Sequence, residues 1–122
     1  MNPTIGILIQ GSHGKDDPER ASLPFIFGNA AATAGREVKV LLTSDAVWLV
    51  TEGFASDIEL AAQPPVGELI DRLVDNGGVI WACAACTGPR GIEANHLVDG
   101  VEIVSAATVT AALVDGVHTI GF

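Results

Sequence analysis

Residues Val79–Ile92 read VIWACAACTGPRGI, and this stretch decides the fold that we predict for the chain. Val79–Ala82 is a short apolar run typical of a strand buried on both faces. It leads directly into two cysteines and a turn rich in glycine, after which we predict a short helix at Pro89–His96. A strand that passes through a polar turn into a helix is the unit from which parallel sheets are built.

The same alternation extends to both ends of the chain. Four further segments have the composition of strands: Thr4–Gln10, Val38–Thr43, Val101–Val104 and Val117–Phe122. Three longer helices are predicted between them: Asp17–Ala34 with Asp17 as its N-cap, Val66–Asp75 and Ser105–Asp115. Pro24 either kinks the first helix or makes it restart at Ser22. The pattern predicts one α/β domain over residues 1–122, a three-layer α/β/α structure with a five-stranded, mainly parallel sheet.

Composition excludes several classes of partner. The 122 residues carry a formal net charge of −9, so a nucleic acid backbone would be repelled. The apolar runs are too short to span a membrane, and the first four residues lack the basic start of a signal peptide. Both cysteines lie in one Cys-x-x-Cys motif, which is no disulfide framework. We therefore expect a cytoplasmic protein that binds neither nucleic acid nor membrane.

The candidate chemistry lies in two loops, because functional groups gather beyond the carboxyl ends of parallel strands. One loop is Gly11–Asp17 and the other is Cys83–Gly91. A thiolate at Cys83 would be favoured by a following helix N-terminus and by Arg90, and would be the reactive nucleophile. The candidate anion-binding residues are Arg90, Gly88, Gly91 and Lys15.

Several roles stay open from the residues alone. Cys86 could form a disulfide with Cys83, accept sulfur from it, or simply pack. His13 is either a proton-transfer partner of the thiol or an exposed loop histidine. A phosphate loop does not fit, since Ile9 and Asp16 stand where that motif needs Gly and Ser or Thr. The histidines are not at zinc-finger spacing, and we expect no metal and no cofactor.

Beyond this, Val79–Ile92 resembles the DsrE/DsrF-like family, whose hallmark is a cysteine at a strand end followed by Arg-Gly. Cys83 precedes Arg90-Gly91 at that spacing, and Cys-x-x-Cys-x-x-x-Arg-Gly-Ile is similar to the YchN-type branch. Asp17–Arg20 (DPER), Gly35–Val38 (GREV) and Gly100–Ile103 (GVEI) also fit.

The resemblance implies a cytoplasmic homotrimer or homohexamer whose Cys83 accepts sulfane sulfur and passes it to an acceptor thiol. Its partners would be sulfur donor and acceptor proteins or small persulfides, with Arg90 stabilising the persulfide anion. Two alternatives compete with this sulfurtransferase or sulfur carrier. One is a dithiol–disulfide redox protein using Cys83 and Cys86. The other is a non-catalytic oligomeric module that binds a small ligand or a partner in the same cleft.

Overall fold

A computed structural model of the chain describes residues 6–122. Two predictions involve residues outside this range. The first predicted strand includes Thr4 and Ile5, and the expectation of no signal peptide concerns residues 1–4. The strands are β1 (Ile7–Gly11), β2 (Val38–Leu42), β3 (Val79–Cys83), β4 (Val101–Val104) and β5 (His118–Gly121). The helices are α1 (Pro18–Thr33), α2 (Val66–Asp75), α3 (Ala84–Thr87) and α4 (Ala106–Val114), with 3₁₀ helices at Ser44–Val50 and Ala94–His96.

Within residues 6–122 the five strands form one sheet in the order β4-β3-β2-β1-β5, and every pairing is parallel. The chain steps outward from β1 to β4 and then crosses back over the sheet through α4 to reach β5. Crossover connections between parallel strands are right-handed. Crossovers that run in opposite directions along the sheet therefore place their helices on opposite faces of it. The predicted three-layer α/β fold is confirmed, and the sheet is wholly parallel.

The larger core lies on the sheet face covered by α1, α2 and the 3₁₀ helix Ser44–Val50. Phe25 of α1 and Leu73 of α2 are fully buried there against Val40 and Ile80 of the central strands. Residues 51–65 have no long element, yet Ala55 and Ile58 are buried in this same core. This face supplies most of the apolar burial that stabilises the fold.

The opposite face is covered more thinly. Its buried cluster consists of Leu8, Leu41, Trp81 and Val104, and Val109 and Ala112 of α4 pack against it. No residue of α4 is buried within the described part of the chain. This face of the sheet therefore has a shallow apolar layer with an exposed helix over it.

Two local predictions are corrected or decided by the structure. The helix predicted at Pro89–His96 is wrong except for its last three residues, Ala94–His96, which form a 3₁₀ helix. The helical turn begins immediately after Cys83, as α3, and Gly88–Gly91 form turns that bond back to Thr87 and Gly88. For Pro24, α1 is a single helix from Pro18 to Thr33 and does not restart at Ser22.

No described helix combines the length and apolar character needed to cross a bilayer.

Candidate functional site

Cys83 is the last residue of β3 and lies at the carboxyl edge of the parallel sheet. Its side chain is half-buried, and its backbone is extended (φ −68°, ψ 122°) where it serves as the N-cap of α3. Both cysteines are free thiols. Cys83 is thus partly exposed and ends an interior strand of the sheet, at the edge where open α/β proteins bind ligands.

The strand register shows toward which face of the sheet the Cys83 side chain is directed. Cys83 pairs with Val104 of β4, and Trp81 lies two residues earlier on the same face of β3. Val104 and Trp81 belong to the cluster beneath α4, so the Cys83 side chain is directed toward the α4 side of the sheet. Ser105, the residue after Val104, is the N-cap of α4, and its hydroxyl accepts a hydrogen bond from Thr108 N–H. The first turn of α4 therefore begins one residue beyond the strand neighbour of Cys83.

Cys86 faces a different environment. It is also half-buried, but it packs against the larger core under α1 and α2. Cys83 is the N-cap of α3 and Cys86 is its third residue, two positions whose side chains approach each other at helix starts. The two cysteines are thus close along the chain, and Cys86 packs against the larger core while the Cys83 side chain is on the α4 side of the sheet.

Arg90 forms two kinds of contact at this edge. Its Nε and Nη2 donate to Asp45 Oδ1 over 3.3 and 2.9 Å, and its Nη1 donates to the Cys86 carbonyl oxygen over 3.0 Å. The Arg90 side chain is 27% exposed and that of Asp45 59%. Among the described hydrogen bonds of the guanidinium, each goes to an oxygen of Asp45 or Cys86. Arg90 is therefore brought to the Cys-x-x-Cys turn, with its charge already paired.

The loop after β1 is organised around Asp16. His13 Nδ1 lies 2.9 Å from Asp16 Oδ2, and Gly14 N–H donates to Asp16 Oδ1 over 2.8 Å. The His13 hydrogen bond is the larger cause and the Gly14 N–H the next, and together they lower the pKa of Asp16 below its ordinary value of 3.8. Strand β2 lies between β1 and β3, so the loop with His13 is two strand spacings, roughly 10 Å, from that of Cys83.

Lys15 contacts the segment that follows the 3₁₀ helix Ser44–Val50. Its Nζ lies 4.5 Å from the centroid of the Phe54 ring and 3.7 Å from Asp57 Oδ1. Phe54 in turn stacks on Trp48 with ring centroids 6.0 Å apart. Lys15 thus forms its contacts with residues 51–60.

The two glycines of the motif differ in what they permit. Gly91 has a positive φ of 67°, and no atom of the described residues lies within 4 Å of the position that a Cβ would take. Gly88 has φ −55°, and a Cβ there would meet the Ala84 carbonyl oxygen at 3.3 Å. Gly91 is therefore favoured by backbone conformation and has open space beside it, whereas a side chain at Gly88 would crowd the Ala84 carbonyl.

Sequence reasoning missed Asp45, which follows β2 and pairs with Arg90 across 45 residues of chain. It also missed Thr43, whose hydroxyl accepts a hydrogen bond from Gln10 Nε2 over 3.2 Å. Thr43 directly follows β2, whose last residue, Leu42, pairs with Ala82, the residue before Cys83. Both residues could have been found from the sequence, because the carboxyl ends of parallel strands meet at one edge of the sheet and the residues after β2 lie there as well as those after β1 and β3.

Over residues 6–122, no group of three or more His, Cys, Asp or Glu side chains is placed to hold a metal ion.

Comparison with known proteins gives consistent results. The sequence model of the DsrE/DsrF-like family matches residues 6–122. An uncharacterized protein of Methanopyrus kandleri, MK0008, is 31% identical over 87 residues, which are 71% of this chain and 69% of that protein. An uncharacterized protein of Methanocaldococcus jannaschii, MJ0760, is 26% identical over 102 residues, which are 84% of this chain and 37% of that longer protein.

Solved structures share the fold at low sequence identity. The ychN protein from E. coli superposes with a TM-score of 0.74 at 19% identity, covering 98% of this chain and 100% of the other. Protein MTH1491 from Methanobacterium thermoautotrophicum, of unknown function, gives a TM-score of 0.78 at 16% identity over 97% and 99%. At such identities the likeness concerns the fold alone.

Proposed function

The chain belongs to the DsrE/DsrF-like family, which indicates a role related to sulfur relay, and on that premise we propose that Cys83 carries sulfane sulfur as a persulfide. The observation that carries the proposal is the position of Cys83: a half-exposed thiol that ends a central strand at the carboxyl edge of a parallel sheet. Ligands and reacting groups bind at this edge in open α/β sheets.

The transfer is a pair of thiol exchanges. The Cys83 thiolate attacks the outer sulfur of a donor persulfide, a new S–S bond forms on Cys83, and the donor leaves as a thiolate. An acceptor thiolate then attacks the outer sulfur on Cys83, takes it, and releases the Cys83 thiolate. Sulfur and electrons balance across the two steps, so the cycle needs neither oxidant nor cofactor.

Two features of the structure near Cys83 suit the binding of a negatively charged group. The first turn of α4 begins next to the strand neighbour of Cys83, and the free N–H groups of a helix N-terminus favour negative charge. Arg90 lies at the Cys-x-x-Cys turn and adds a positive charge that is partly offset by Asp45. Open space at Gly91 suits the approach of a donor, and His13 and Lys15 are candidates to contact it from the loop after β1.

The test is persulfide loading read by intact mass. We expect incubation with a small persulfide donor to add about 32 Da, the mass of one sulfur atom. The adduct should be absent from Cys83→Ser and retained by Cys86→Ser, which is the matched control in the same turn. An unmodified wild-type mass after treatment with several donors would overturn the proposal.

A dithiol–disulfide exchange between Cys83 and Cys86 is the second candidate. It is favoured by their closeness along the chain, since Cys83 is the N-cap and Cys86 the third residue of the short helix α3. This function requires both thiols, whereas sulfur carriage requires Cys83 alone. Loss of all sulfur loading in Cys86→Ser would therefore favour the redox reaction.

The proposal includes self-association in the cytoplasm. A reducing compartment keeps a pair of reactive thiols available, which suits either thiol chemistry. Ala106–Val114 of α4 carries no charged residue in a chain with 15 Asp and Glu, and Leu113 and Val114 are 44% and 80% exposed. We take this uncharged surface to be where copies of the chain meet in the trimer or hexamer.

A further inference from the structure

Arg90 is held from two sides at the carboxyl edge of the sheet. Two of its nitrogens donate to one oxygen of Asp45, and a third donates to the carbonyl of Cys86. That carbonyl lies in the last turn of α3, where helix carbonyls lack intrahelical partners. The guanidinium therefore caps the turn that contains both cysteines, and Asp45 orients the guanidinium.

Asp45 is itself fixed in place. It is the second residue of the 3₁₀ helix that follows β2, and the residue before it, Ser44, has a positive φ of 50°. A Cβ on Gly14 would lie only 2.8 Å from the Asp45 carbonyl oxygen, so the loop after β1 packs closely on the Asp45 backbone. Asp45 thus connects the loops that follow β1, β2 and β3.

We propose that Asp45 is a positioning residue of the thiol site, which holds Arg90 against the Cys-x-x-Cys turn and offsets its charge. The inference rests on the proposed function in taking Cys83 as the reactive thiol. With both partners present the pair is neutral overall. Removal of the carboxylate leaves a cation that favours the Cys83 thiolate, and removal of the guanidinium leaves an anion that disfavours it.

Other charged residues lie near this edge, and they are the same in every variant that the test compares. They are His13, Lys15 and Asp16 on the loop after β1, and Glu102 on β4, which pairs with Trp81.

The experiment measures the alkylation rate of Cys83 against pH in a Cys86→Ser background. Asp45→Asn keeps an oxygen acceptor for Arg90 and removes the charge, so we expect the midpoint to move to lower pH. Arg90→Gln should move it to higher pH. Each shift should be on the order of half a pH unit, or about threefold in rate at a fixed pH below the midpoint.

The opposite signs separate charge from structure. A purely structural ion pair would loosen in both variants and move both midpoints the same way, and that result, or no shift in either variant, would overturn the inference. Asp45→Glu retains the charge and should keep the parental midpoint, so the comparison with Asp45→Asn decides the question even if Arg90→Gln fails to fold.

Alkylation involves no sulfur transfer, so the two proposals can fail independently. Opposite shifts without persulfide loading would remove the proposed function alone. Persulfide loading without opposite shifts would remove the role of Asp45 alone.

Discussion

Among single residues, Cys83 and Arg90 differ in how far the sequence predicts their roles. The apolar run Val79–Ala82 ends at Cys83, so the edge position of the thiol follows from local pattern and is found in the structure. The partner of Arg90 does not follow from local pattern, since Asp45 becomes its neighbour only through the pairing of β2 with β3. Contacts within one loop can be predicted from sequence, and contacts between loops require the strand order.

Asp16 gives a pH-dependent prediction at this scale. The pKa of Asp16 is lowered below 3.8 in the folded chain, mainly by the His13 hydrogen bond and next by the Gly14 N–H. A lowered folded-state pKa means that the carboxylate stabilises the fold fully above about pH 4 and ceases to do so as pH falls through the folded-state value. Asp16→Asn should therefore be less stable than wild type at pH 7, with a smaller difference at pH 2.5, as measured by urea denaturation. A difference that stays constant between the two pH values would contradict this.

At the level of elements, α3 shows where local signals mislead. Pro89 is a residue typical of a first helical turn, and this favoured a helix starting there. In the structure the amides of Arg90 and Ile92 donate to the carbonyl of Thr87, and that of Gly91 donates to the carbonyl of Gly88. Those turns close the end of α3, so the proline follows a helix that the small residues Ala84 and Ala85 had already begun.

The packing of α1 on β1 depends on Gly11 and gives the prediction for this scale. Pro24 lies inside α1 and is fully buried, and a Cβ on Gly11 would lie 2.6 Å from its Cγ. Because a proline ring cannot rotate away, Gly11→Ala should force α1 from the sheet and lower the free energy of unfolding by about 1–3 kcal/mol. Gly121→Ala is the matched control, since a Cβ there meets its nearest atom at 3.5 Å. Equal denaturation midpoints for the two variants would refute the packing argument.

For the whole molecule, the alternation of strands and helices predicts the parallel α/β class but leaves the strand order undecided. The order follows from the return crossover through α4, which places β5 beside β1 at the far edge from β4. Among residues 6–122 a single helix spans this face, so the sheet there has less cover than the face under α1 and α2. The same crossover that completes the sheet thus leaves an apolar helix exposed.

That exposed helix leads to the prediction at molecular scale. If copies of the chain meet through α4, the wild type should sediment as an oligomer and the double variant Leu113→Glu/Val114→Glu as a monomer. The reason is that each copy of the variant would bring two charges into the buried contact. Since the two side chains are 44% and 80% exposed, the change should leave the fold of one copy intact, as circular dichroism can verify. Ala61→Glu adds a charge at an exposed site outside α4 and should leave the oligomer unchanged. A wild-type protein that sediments as a monomer, or a double variant that stays oligomeric, would place the contact elsewhere or remove it.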